Sequence, residues 1–208
     1  MKTIPEIVIV ANGLFPKGRQ ALDLLHGADQ LICCDGAADK LIAYGLAPHV
    51  IAGDMDSVSP EVSSRYASIM HRSGDQENND LTKAVHYCIE KGYPSVSILG
   101  ATGLREDHTL GNISLMLEYY PRIEVQMLSD YGMFFLVRSG EKVQSFVGEK
   151  ISVFSPDNRL RVTSSGLKYP LNDLQLSNWY RASLNEAISD SFTLHFDSKQ
   201  ALIVYRTW

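Results

Sequence analysis

The chain has 208 residues, 45% of them hydrophobic and 21% charged, with a net charge of -5. That composition supports a folded core in one large domain or two modest ones, and it excludes a disordered polyelectrolyte. The acidic balance argues against a nucleic-acid binder, and no apolar run approaches the roughly 20 residues that cross a bilayer. The start, Met1-Lys2-Thr3-Ile4-Pro5-Glu6, puts Pro and Glu where a signal peptide needs an unbroken apolar stretch. Cys33 and Cys34 are adjacent, which suits neither a disulfide framework nor zinc-ligand spacing, so a cytoplasmic location is expected.

In chain order, the apolar run 7–11 predicts a buried strand, followed by a helical stretch through Ala21, Leu22, Leu24 and Leu25. A strand at 31–34, a helix at 37–44 and a strand at 49–52 follow. Leu81, Ala84, Val85, Cys88 and Ile89 mark the apolar face of another helix. A strand at 95–99, a helix from about 109 to 120 and a strand at 124–128 complete this half. Strands alternating with helices predict a Rossmann-like α/β domain with a mostly parallel sheet, over residues 1–134. From about Phe135 the helical period disappears, and short alternating runs occupy 142–147, 150–154, 159–162, 192–196 and 201–205. These predict a small all-β sandwich over 135–208, with the last two runs paired across the turn Asp197-Ser198-Lys199-Gln200. About 70 residues make a marginal core, so this domain is expected to lean on the first or on a second subunit.

Ligands of open α/β sheets bind at the carboxyl ends of the strands, and three polar clusters fall there. Gly53-Asp54-Met55-Asp56-Ser57 offers two carboxylates one residue apart, which suits a divalent cation carrying phosphates; a plain turn is the competing reading. Asp75-Gln76-Glu77-Asn78-Asn79-Asp80-Leu81-Thr82-Lys83-Ala84 opens a helix. Asn79 or Asp80 would cap it, while Thr82 and Lys83 in the first turn favour an anionic partner. Gly100-Ala101-Thr102-Gly103-Leu104-Arg105-Glu106-Asp107-His108-Thr109 lets backbone approach a ligand closely and presents a guanidinium fork to phosphate. An acid-rich cleft binds a triphosphate only with Mg²⁺ between carboxylate and phosphate, so metal-dependent phosphoryl or pyrophosphoryl transfer is expected. P-loop, protein-kinase and dinucleotide fingerprints are absent.

Asp35-Gly36-Ala37-Ala38, the Gly53 to Ser57 motif, Asp75-Gln76 with Asn79 to Ala84, the stretch from Gly100 to Asn112 and Gly166-Leu167-Lys168-Tyr169-Pro170-Leu171 occur in that order. Together they resemble the thiamine pyrophosphokinase family. The resemblance implies transfer of pyrophosphate from ATP to the thiamine hydroxyl, giving thiamine diphosphate and AMP, in a homodimer with active sites between subunits. It implies that Asp54, Asp56 and Asp80 hold Mg²⁺ and the phosphates. Gln76, Thr82, Lys83 and Arg105 would position the nucleotide, with Asp35 lining the same cleft. Asp107 would lie near the reacting hydroxyl or the thiamine ring, with the nucleotide-site His108 beside it, and Ser183 and Asn185 would serve thiamine. The chain departs from the family pattern at Ala37 and Leu104, where glycine is usual, and at Leu184, where Ser-Asn-Glu is usual. Trp179, Tyr205 and Trp208 are the candidates for stacking on thiamine. Alternatives are a pyrophosphokinase for another hydroxymethyl heterocycle such as a pterin alcohol, a metal-dependent glycosyltransferase, and a non-catalytic thiamine or nucleotide sensor.

Overall fold

β1 (Ile7–Val10) is a run of β-branched side chains, all buried, as expected of a strand inside a parallel sheet covered by helices. The computed structural model describes residues 6–208, so Met1 to Pro5, read above against a signal peptide, lie outside the described residues. β2 (Gln30–Cys34), β3 (Val50–Gly53), β4 (Met70–Arg72), β5 (Ser95–Leu99) and β6 (Glu124–Ser129) join β1. They lie in the order β6-β5-β1-β2-β3-β4, and every neighbouring pair is parallel. The chain steps one way from β1 to β4, then returns to the other side of β1 through β5 and β6. The reversal therefore falls between β1 and β5, where such sheets open a crevice at their strand ends.

The helices are α1 (Arg19–Gly27), α2 (Ala37–Ala43), α3 (Pro60–Arg65), α4 (Asp80–Glu90) and α5 (Glu106–Tyr119). α4 is capped by Asn79, whose side chain accepts the Thr82 amide at 2.8 Å, and it buries Leu81, Ala84, Val85 and Cys88. α5 begins at Glu106, not at about Thr109 as the apolar period suggested. Its first turn carries Glu106 and Asp107, which suit the positive end of a helix but show no apolar spacing. No helix among the described residues is long and apolar enough to cross a membrane.

The chain divides into two compact units after Asp130. The second holds β7 (Gly132–Val137), β8 (Lys142–Gln144), β9 (Lys150–Phe154), β10 (Arg161–Ser165), β11 (Leu174–Gln175), β12 (Ala182–Glu186), β13 (Ser191–Phe196) and β14 (Leu202–Thr207). Within it β12-β9-β14-β7 and β11-β10-β13-β8 form two antiparallel layers. Val137, Ile151, Val153, Leu202 and Val204 from one layer and Val143, Val162, Phe192 and Leu194 from the other make a common core.

The expected hairpin between the last two strands is not formed. β13 pairs with β10 and β8, whereas β14 pairs with β7 and β9, so the chain changes layers at 197–201. A short polar turn between apolar runs fits a change of layer as well as a hairpin. Ala201, Leu202, Ile203 and Val204 are consecutively buried, the mark of a strand covered on both faces.

Candidate active site

Asp35 follows β2, and Asp54 and Asp56 follow β3. Asp54 Oδ1 accepts the Asp56 amide at 3.2 Å while Met55, between them, adopts φ +72°, so the chain turns sharply and both carboxylates converge. Asp35, Asp54 and Asp56 each offer an oxygen within 4.8 Å of the other two. Asp35 is fully buried; its Oδ2 accepts the Ser57 amide at 3.2 Å, and no hydrogen-bond donor among the described residues reaches its Oδ1. Burial raises its pKa from 3.8 to about 6, the Ser57 amide opposes the rise, and Asp80 and Asp56 add to it. Three clustered carboxylates, one buried with an open lone pair, fit a hard divalent cation such as Mg²⁺.

The expected metal set was Asp54, Asp56 and Asp80; the structure groups Asp35 with the first two. Asp80 instead receives Lys83 Nζ at 3.0 Å, and the same ammonium reaches Asp54 Oδ2 at 3.2 Å. Burial opposes the charge on Lys83, but its hydrogen bonds to Asp80 and Asp54 outweigh that and raise its pKa. The Asp56 amide, followed by Lys83, holds Asp54 below the ordinary carboxylate range. Gly53 permits this approach, since a Cβ there would stand 3.0 Å from Asp35 Cβ and 3.2 Å from Asp80 Oδ1.

A cleft of about 370 Å³ opens beside these groups, lined among others by Asn12, Gly13, Asp80, Thr102, Arg105 and His108. It sits where the strand order reverses. Backbone bonds from Ala11 to Leu99, Gly13 to Gly100 and Leu14 to Thr102 join the loops after β1 and β5. Lys40 Nζ donates to the Asn12 and Gly13 carbonyls at 2.9 Å each. Asn12, Gly13 and Lys40 were not picked out from the sequence. The signal available was topological, because the loop after the first strand is the expected wall of such a crevice.

A family profile described as thiamin pyrophosphokinase, catalytic domain, matches residues 21–127. A second, described as thiamin pyrophosphokinase, substrate-binding domain, matches residues 132–205. The chain belongs to the thiamin pyrophosphokinase family. Thiamine pyrophosphokinase of Bacillus subtilis is 27% identical over 219 residues, covering 100% of this chain and 99% of that protein. Thiamine pyrophosphokinase 1 of rice, Oryza sativa subsp. japonica, is 29% identical over 203 residues, covering 82% of this chain and 75% of that protein. The crystal structure of the B. subtilis protein matches with a TM-score of 0.77 at 26% identity, over 97% of this chain and 98% of that one. These are kinase-type transferases acting on thiamine, and this chain is an enzyme of that family.

In this member of the thiamin pyrophosphokinase family, the remaining expected site residues fall in different environments. Thr82 does not face the cleft: it is buried, with Oγ1 2.6 Å from the Tyr119 hydroxyl. Gln76 is exposed in the segment before α4. Arg105 pairs with Asp107 at 2.6 Å, and this guanidinium, followed by the His108 amide, holds Asp107 down at about 2. In the second unit, Asn185 is buried and spends its amide on the Tyr169 backbone, accepting at 3.1 Å and donating at 2.7 Å. Asn185 thus fixes the 166–171 segment. Ser183 Oγ donates to the Tyr180 carbonyl at 2.8 Å. Tyr205 packs on Phe134 with ring centroids 4.4 Å apart, Trp179 lies 5.9 Å from Phe154, and Trp208 is partly exposed at the end of the chain.

Proposed function

We propose that this chain catalyses Mg²⁺-dependent transfer of the β,γ-pyrophosphoryl group of ATP to the thiamine hydroxyl, releasing thiamine diphosphate and AMP. The observation that carries this reading is the convergence of Asp35, Asp54 and Asp56 beside a cleft at the strand-order reversal. The hydroxyl oxygen bonds to the β-phosphorus as the α,β-bridging bond breaks, and the hydroxyl proton leaves to solvent. A bound Mg²⁺ supplies the charge neutralisation that lets carboxylate and triphosphate share the site. Asp35, Asp54 and Asp56 would hold it. Lys83 holds Asp80 and Asp54 in place through its ion pairs with both, and Arg105 meets phosphate at the cleft mouth. Asp107, kept ionised by Arg105, accepts a hydrogen bond from the hydroxyl and orients it. Rate enhancement rests on positioning and charge, with no covalent nucleophile.

The second unit supplies thiamine recognition through the segment that Asn185 fixes, with Ser183 nearby. A homodimer agrees with the exposed apolar side chains Phe146, Val147, Tyr180 and Ile188 in that unit. The three free, buried cysteines agree with a reducing, cytoplasmic setting. Purified protein with ATP, Mg²⁺ and thiamine should form AMP and thiamine diphosphate in equal amounts, resolved by chromatography. ADP as the nucleotide product would overturn pyrophosphoryl transfer. Turnover only with a different hydroxymethyl heterocycle would overturn thiamine as acceptor.

A further inference from the structure

α4 carries Asp80 and Lys83 at its start, and α5 carries Asp107 and His108 at its own. Between the helices run two polar ties of different character. The inner one is the buried contact of Thr82 Oγ1 with the Tyr119 hydroxyl at 2.6 Å. The outer one involves Asn112, which lines the cleft and lies seven residues before Tyr119 on α5. Seven residues are about two helical turns, so both α5 side chains face α4.

The outer tie has a fixed direction. The Thr82 amide donates to Asn79 Oδ1 at 2.8 Å, which fixes which end of the Asn79 amide is left. Asn79 Nδ2 then donates to Asn112 Oδ1 at 3.3 Å, and Asn112 Nδ2 donates to the Ala101 carbonyl at 2.8 Å. One side chain therefore joins the cap of α4 to the loop between β5 and Arg105. Its Oδ1 meets only a donor and its Nδ2 meets only an acceptor, so no other side chain of this size satisfies both ends.

We propose that Asn112 is a positioning residue for pyrophosphoryl transfer, holding the Asp80–Lys83 wall of the cleft in register with the loop that presents Arg105. The proposal rests on the reaction stated above. Asn112 need not touch substrate; it sets the spacing of groups that do. Small displacements of such groups are expressed in nucleotide binding and turnover more than in folding.

The test compares three variants with the wild-type enzyme for MgATP KM, kcat, calorimetric MgATP affinity and thermal midpoint. Asn112→Ala should raise KM and weaken nucleotide affinity by roughly tenfold, as expected for two hydrogen bonds lost. Asn112→Asp keeps size and the acceptor for Asn79 but faces the Ala101 carbonyl with a carboxylate oxygen, so it should be at least as impaired. Tyr119→Phe removes the inner tie and should lower the thermal midpoint while leaving KM and kcat near wild type. Asn112→Ala or Asn112→Asp with wild-type KM and affinity would overturn the proposal. So would activity losses in all three variants that track only the drop in midpoint. A wild-type enzyme that makes no thiamine-dependent AMP, yet loses MgATP affinity with Asn112→Ala, would overturn the assigned reaction and leave the positioning role standing.

Discussion

Lys83 donates to Asp54 across 3.2 Å, so a helix cation from α4 neutralises the acid turn that follows β3. The Lys83 side chain is 5% exposed while its partners Asp54 and Asp80 are 35% and 33% exposed, which makes it a buried charge between two half-open ones. Replacing it leaves two carboxylates facing each other near the cluster of Asp35 and Asp56. Lys83→Gln should lower kcat/KM by about 10²-fold or more. In metal-free buffer it should cost about 1–2 kcal/mol, less than a fully buried pair because water screens the partners. Added Mg²⁺ should raise the melting midpoint of Lys83→Gln more than that of the wild type. An equal Mg²⁺ response in the two proteins would sink the idea that this lysine stands in for cationic charge.

The sign of Lys83 was legible in the sequence, and its partner was not. A lysine in the first turn of a helix opposes the helix dipole and so calls for an anion, for which a bound phosphate is the local candidate. Here the nearest anions are protein carboxylates brought together by the fold, through a glycine that clears space for them. Thr82 shows the same limit. Its place in the first helical turn favours an anionic partner, yet its hydroxyl is turned inward to Tyr119, a contact 37 residues away that no local pattern encodes. Most of the parallel α/β half is readable because its inner strands are buried apolar runs separated by helices, whereas β4, Met70-His71-Arg72 at the sheet edge, shows no apolar run and has no counterpart in the sequence pattern. The strand pairing of the second unit was not, because alternation shows which face is buried but not which sheet a strand joins.

Asp35 gives a pH-dependent prediction for the metal-free protein. Its pKa rises from 3.8 to about 6 in the fold, chiefly through burial. A carboxyl whose folded pKa is raised holds its proton more tightly when folded, so it favours the folded state only at low pH. As pH climbs from about 4 to about 6 the unfolded chain gives up the proton first and stability falls; above that range the penalty is constant, up to about 3 kcal/mol. Asp35→Asn removes the penalty and keeps an acceptor for the Ser57 amide. In EDTA the variant should pull ahead of the wild type across that window and stay ahead at pH 7.5, while losing catalysis. Denaturation curves that keep a constant separation from pH 4 to 7.5 would contradict it.

Gly13 and Gly27 form a matched pair of substitutions. A Cβ at Gly13 would stand 2.3 Å from the Gly100 carbonyl oxygen and 2.8 Å from that of Thr102, both backbone atoms that cannot swing away. A Cβ at Gly27, the last residue of α1, meets nothing within 4 Å. Gly13→Ala should push apart the loops after β1 and β5, lowering stability by about 2 kcal/mol or more and weakening nucleotide binding with it. Gly27→Ala should change stability by no more than about 0.5 kcal/mol. Urea melts of both variants, with MgATP affinity measured alongside, decide the matter; equal stabilities for the two would show that the loop junction yields.

Leu184 sits in β12 at φ +59°, within the register shift between Ala182 and Asn185, and the residue is 72% exposed. Its amide donates to Ser152 Oγ at 3.1 Å, so the bulge is anchored by backbone and the side chain packs on little. Left-handed backbone is strained for a residue bearing a Cβ, and more so for one branched there. Leu184→Gly should therefore stabilise the protein by about 0.5–1 kcal/mol, and Leu184→Val should destabilise it by a similar amount or more. The same position is where the family resemblance places serine beside Asn185 and Glu186. Leu184→Ser should accordingly lower the thiamine KM while leaving the MgATP KM unchanged. A thiamine KM that is the same for leucine, glycine and serine would mean that this bulge shapes the edge strand and takes no part in acceptor choice.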